Sequence, residues 1–149
     1  MMDLSALFDQ SLVHSLLRFA TPILLAALGG LLCERAGVFN IGLEGLMLAG
    51  AFAAVVGSYF AESALIGVGA AILAGLTLAA LFACFAVGLR GNEIVLGIGV
   101  NLLASGLTVF LLRSIFGVKG AFQDPRIAGL RALDLPAIGS LPLLGPLLP

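Results

Sequence analysis

The feature that most constrains this chain is the run from Ser63 to Leu89, twenty-seven consecutive residues without Asp, Glu, Lys or Arg. A helix of about 20 predominantly apolar residues crosses the hydrocarbon of a bilayer. The run is not alone. Uncharged stretches also cover residues 19–33, 45–61 and 94–112. With 61% of residues hydrophobic and 10% charged, against about half and a quarter in soluble domains, water is not the solvent of this chain. The expected fold class is an all-α integral membrane protein, a polytopic transmembrane helix bundle of about four spans plus the start of a fifth.

Spans are expected at residues 12–33, 41–61, 64–89 and 94–112, followed by an extramembrane loop at 113–134. Arg18 enters the first span by snorkelling its guanidinium to the headgroups. Pro22 either sits near the beginning of that helix or kinks it. The polar stretch Arg90-Gly91-Asn92-Glu93 reads as a compact turn. The long loop holds four of the seven cations: Arg113, Lys119, Arg126 and Arg131. Beyond it, residues 135–149 are apolar but interrupted by Pro136, Pro142, Pro146 and Pro149, and they read as the unfinished start of a fifth span in a truncated chain.

Several classes are excluded. Seven Lys plus Arg against eight Asp plus Glu, with no basic stripe or tail, leave nothing to bind nucleic acid; the lipid bilayer is the partner. Asp3 and Asp9 occupy the place where a cleaved signal peptide carries basic residues, so the first run stays in the mature chain. Cys33 and Cys84 read as small hydrophobes, and two cysteines make no disulfide framework or metal pattern. The single His14 reads as interfacial. Phosphate-loop, HExxH, CxxC and GxSxG motifs are absent, so no enzyme activity, cofactor or catalytic residue is expected, and any ATP is bound by another chain.

Three patterns stand out. In the third span Gly67, Ala71, Gly75, Ala79 and Ala83 recur every fourth residue, a small-residue ridge along which helices approach closely. Between the first two spans, Glu34-Arg35-Ala36-Gly37-Val38-Phe39-Asn40-Ile41-Gly42-Leu43-Glu44-Gly45 mixes charges, an amide and glycines with large apolar residues. Irregular backbone exposed to lipid leaves polar groups unpaired at several kcal/mol each, so this segment packs against protein or a watery cavity. If residues 38–45 are helical, Asn40 and Glu44 share a face at i, i+4. Otherwise the polar residues simply fix the span ends. In the fourth span Asn101 lies near mid-depth, where an amide requires a protein or aqueous partner; an interhelical hydrogen bond and substrate contact are both open to it. Gly97 and Gly99 leave room beside it.

ATPILLAALGGLLCERAGVFNIGLEGLMLAGAFAA, GNEIVLGIGVNLLASGLTVFLLR and LPAIGSLPLLGPLLP together resemble the permeases of ATP-binding-cassette importers for nucleosides and simple sugars, a group related to ribose and branched-chain amino-acid permeases. ERAGVFNIGLEG is the most specific match and GNEIVLGIGVNLLA the second. The motif positions are Glu34, Arg35, Gly37, Asn40, Gly42, Glu44, Gly45, Asn92 and Glu93, with Asn40, Glu44 and Asn101 the substrate-path candidates. The resemblance implies a partial permease domain in residues 1–149, located in a bacterial plasma membrane. It also implies ATP-hydrolysing cassette subunits, a second permease subunit and an extracellular or periplasmic substrate-binding protein. Five cations on the side of the long loop against two on the other place that loop in the cytoplasm by the positive-inside rule, whereas the resemblance implies that it lies outside; the family orientation is preferred. An ion-coupled transporter or channel using Glu44, a branched-chain amino-acid permease and a membrane scaffold are the alternatives.

Overall fold

The computed structural model describes residues 10–130. Four helices follow in order: α1 Gln10–Arg35, α2 Leu43–Ala61, α3 Ala64–Ala83, which runs into a π-helical turn Cys84–Gly88, and α4 Glu93–Phe116. Each is long and apolar enough to span a bilayer, so the all-helical, multi-pass expectation holds. The start of a fifth span, residues 135–149, lies outside the described residues. The contacts divide the chain into two compact units, with the early part of α1, through Leu28, in one and residues 29–130 in the other.

Pro22 is inside α1 rather than beside its beginning. Its missing N–H leaves the Arg18 carbonyl without a helical donor, and the adjacent Thr21 hydroxyl donates to the Leu17 carbonyl at 2.7 Å. The helix continues through the charged pair Glu34 and Arg35, then ends in a Schellman cap. Gly37 takes a left-handed φ of 81°, its N–H donates to Glu34 O at 2.9 Å, and the Val38 N–H donates to Cys33 O at 3.0 Å. That ring closes only where the backbone adopts positive φ, which is why glycine stands there.

Within residues 29–130, α2 packs on α3 through small residues. A methyl group on Gly57 would lie 2.7 Å from the Ala70 methyl and 3.2 Å from the Gly67 Cα, and one on Gly67 would lie 2.8 Å from the Ala54 carbonyl oxygen. Lipid offers apolar side chains as good a home as protein, so close backbone approach of this kind is what holds membrane helices together. Of the ridge expected along α3, Gly67 is buried and the Ala71 carbonyl faces Gly50, whereas a methyl on Gly75 would meet nothing within 4 Å.

Phe82, Ala86 and Val100 form the buried cluster, with Val38 and Leu96 packed against it. The π-helical turn ends with the Gly91 N–H donating to Phe85 O at 3.0 Å and Arg90 at φ 54°. Asn92 then caps α4, its side-chain oxygen accepting from the amides of Ile94 and Val95 at 3.0 and 3.2 Å, as an N-cap does.

The fourth helix is longer than its uncharged run. It begins at Glu93 rather than 94 and ends at Phe116 rather than 112, so Arg113, expected in the loop, is helical. Glu93 favours the positive N-terminal end of the helix dipole and Arg113 the negative C-terminal end. The stop comes where Gly117 takes φ 68° and its N–H donates to Arg113 O. Charge marks where lipid ends; the cap marks where the helix ends.

Candidate functional site

The segment between α1 and α2 is not helical from Val38 to Gly42, which removes the expected i, i+4 pairing of Asn40 with Glu44. Asn40 turns its side-chain oxygen onto the Gly42 N–H at 2.9 Å. Its neighbour Phe39 donates its N–H to Glu93 Oε2. The connection thus lies against the first turns of α4, and residues distant in sequence supply the partners its backbone needs.

Asn101 completes the arrangement. Its Oδ1 accepts from the Gly45 N–H at 2.7 Å and its Nδ2 donates to the Ile41 carbonyl at 3.1 Å. One amide on α4 therefore bridges the last irregular residues and the first turn of α2. The geometry requires near contact of the two backbones. A methyl on Gly45 would stand 2.9 Å from both the Asn101 Cα and the Val100 carbonyl oxygen, and one on Gly97 would stand 2.9 Å from the Gly42 nitrogen. Gly42, Gly45, Gly97 and Val100 are all buried.

Gly42 lies level with Gly97, one turn after the beginning of α4 at Glu93. At about 1.5 Å per residue, irregular backbone is carried roughly 6 Å along that helix before α2 starts. Helix α2 consequently presents the positive end of its dipole below the level of its neighbour's first residue. Glu44, in its first turn, is exposed, as are Glu34, Arg35, Gly37 and Asn92.

The structure brings together Asn40, Gly42, Gly45, Glu93 and Asn101, with Gly97 added from α4. Glu44 takes no part in these hydrogen bonds, and Glu34 and Gly37 contribute backbone groups to the cap of α1. The role of the Ile41 carbonyl was invisible in the sequence, because any residue carries one. Gly97 carried a signal, since it stands one helical turn before Asn101.

An amide clamp between two of three packed helices, in a chain whose four helices are each long and apolar enough to cross a bilayer, belongs to a multi-pass membrane protein. The chain belongs to the family described as the permease component of the branched-chain amino acid transport system, whose model matches residues 12–141. It is 35% identical over 140 residues to the guanosine ABC transporter permease protein NupQ of Bacillus subtilis, covering 90% of this chain and 43% of that one. Identity is 32% over 142 residues to the nucleoside ABC transporter permease protein NupC of Lactococcus lactis, covering 91% and 44%. It is 37% over 142 residues to the putative glucose ABC transporter permease protein TsgC13 of Haloferax volcanii, covering 93% and 41%. The chain spans less than half the length of these curated relatives. No solved structure matches it significantly.

Proposed function

We propose that this chain is part of the permease subunit of an ATP-driven importer for a nucleoside or simple sugar, working in a bacterial plasma membrane. The observation that carries the reading is the Asn101 clamp on irregular backbone within the span of α4. Non-helical backbone at membrane depth is tolerated where it is buried in protein or lines an aqueous path, and transporters place such breaks beside their substrates. The names of the relatives support nucleosides and sugars over branched-chain amino acids. Cassette ATPases, a second permease subunit and a delivering binding protein complete the proposed assembly.

The chemistry fits a neutral, hydroxyl-rich solute. An asparagine amide has two N–H donors and two acceptor lone pairs. Asn101 uses one of each on Ile41 and on Gly45 in the first turn of α2, which leaves one donor and one acceptor for a passing hydroxyl or nucleobase edge. Asn40 and Glu44 flank the same helix start. No bond is made or broken in the substrate; the chain provides passage while ATP hydrolysis on the partner drives the change of access.

The test is uptake of labelled guanosine, glucose and leucine by proteoliposomes holding the permease that contains this chain, its ATPase and its binding protein. ATP-dependent uptake of guanosine or glucose that falls at least tenfold in Asn101→Ala, with the protein still folded, supports the reading. Uptake driven by an ion gradient without ATP, or of leucine alone, overturns it.

A further inference from the structure

The α2–α4 seam changes character along its length, from glycine-mediated backbone contact at one end to side-chain packing farther along. At the Asn101 end the helices touch backbone to backbone, at Gly42 with Gly97 and Gly45 with Asn101. Farther along, Ala104 and Thr108 are buried in the seam. To one side of that seam lies an apolar hollow of about 470 Å³, lined by Phe52, Val56, Leu107 and Leu111 among others. To the other lies one of about 320 Å³, lined by Leu48, Val55, Leu112 and Phe122 among others. Both are open grooves flanking the seam rather than sealed voids, so the side chains along them have room to reorient.

At the far end the two helices are tied again, by the segment after α4. The Tyr59 and Phe116 rings meet edge to face at 5.1 Å between centroids, Phe122 stacks on Phe116 at 4.0 Å, and Phe122 meets Tyr59 at 5.6 Å. Arg126 lies over the Tyr59 ring at 4.3 Å and donates to its hydroxyl. Asp124 steadies the guanidinium through a 3.2 Å ion pair with Nε. The Ser58 hydroxyl, 4% exposed, donates to the Ala128 carbonyl at 2.8 Å. These contacts join the end of α2 to a segment leaving α4, so α4 cannot swing away from α2 at this end while they hold.

We propose that residues 117–130 are a latch and the Gly42/Gly97 and Gly45/Asn101 contact is the pivot, so that α4 swings from α2 at the latched end while staying attached at the other. The open grooves on either side of the seam give it room to move. The latch is made of aromatic and cation–π contacts between partly exposed groups, individually weak enough to release and re-form. The device concerns the helix pair itself and does not depend on which solute is carried.

The test uses the full chain in lipid vesicles with Cys33→Ala and Cys84→Ala, carrying either Thr108→Cys in the seam or Val100→Cys beside the pivot. The readout is the rate of alkylation by a membrane-permeant maleimide. Phe122→Ala and the exposed-site change Arg126→Ala are expected to speed reaction at Thr108→Cys about three- to tenfold, the scale of losing one aromatic or cation–π contact, and to leave Val100→Cys unchanged. An unchanged rate at Thr108→Cys in both variants overturns the latch, as does equal acceleration at the two sites, which signals general loosening. Since the assay needs neither ATP nor substrate, a failure of the importer reading leaves its result intact.

Discussion

Replacing Asn101 by alanine removes both halves of the clamp at once. The Gly45 N–H and the Ile41 carbonyl lose their partners at 2.7 and 3.1 Å; Gly45 is buried, whereas Ile41 is exposed. Interhelical hydrogen bonds in membranes contribute about 0.6 kcal/mol each on average and roughly 1.7 at most. Two such bonds give about 1 to 3.5 kcal/mol. The buried Gly45 N–H left without a partner adds to that loss, so we expect Asn101→Ala to destabilise the chain by about 1 to 3 kcal/mol. Reversible unfolding in mixed micelles measures it directly. Ser105→Ala is the matched control, since that hydroxyl donates only to Leu102 O in its own helix and its loss is worth less than about 0.5 kcal/mol. Equal stability of the two variants would refute the clamp as a structural element.

Three further expectations can be checked by the same unfolding measurement or by amide exchange. Gly45→Ala should cost about 1 to 3 kcal/mol through overpacking and gain only partial relief from Asn101→Ala, because the added methyl would strike Asn101 Oδ1 but also the backbone Asn101 Cα and Val100 oxygen, each at 2.9 Å; Gly75→Ala, whose methyl would meet nothing within 4 Å, should be neutral or slightly stabilising. Glu62→Gly should stabilise by about 0.5 to 1 kcal/mol, since a non-glycine residue at φ 48° bears the left-handed penalty. The Arg126 side chain, and then its N–H, bond to the Asp124 carboxylate and hold it below the usual carboxylate range. A depressed folded value means that the turn's stabilisation is present above the unfolded value and is lost as pH falls through the folded one; exchange of the Arg126 amide should therefore accelerate only below the ordinary Asp range.

What the sequence revealed and what it hid divide along physical lines. Spans were legible because lipid forbids charge over a fixed thickness, so Ser63 to Leu89 announces a crossing without any knowledge of neighbours. Helix ends were less legible: reading charge as the boundary places α4 at 94–112, whereas the helix is bounded by the caps at Asn92 and Gly117 and extends through Arg113. ERAGVFNIGLEG stands out as unusual in the sequence, which leaves open whether residues 38–45 are helical; they are irregular through Gly42, and Asn40 turns its side chain to Gly42, two residues on, rather than to Glu44. The folding of residues 117–130 onto Tyr59 was invisible, since a polar segment with a single aromatic, Phe122, carries no periodicity to read.

Backbone accounting explains why this motif has the residues it has. A membrane chain that interrupts a helix must find partners for each exposed N–H and carbonyl without water. Here Gly37 lets α1 close its own cap, Glu93 takes the Phe39 N–H, Asn40 takes that of Gly42, and Asn101 takes the Gly45 N–H and supplies a donor to Ile41. Glycines at 42, 45 and 97 are what allow the groups to come within reach. The same arrangement that makes the break affordable also sets the start of α2, with its positive dipole end, beside the half-used Asn101 amide about one turn along α4. On the proposed reading, stability and transport fall on one set of atoms, so the transport role would rest on the unused donor and acceptor of Asn101 rather than on the bonds it already makes.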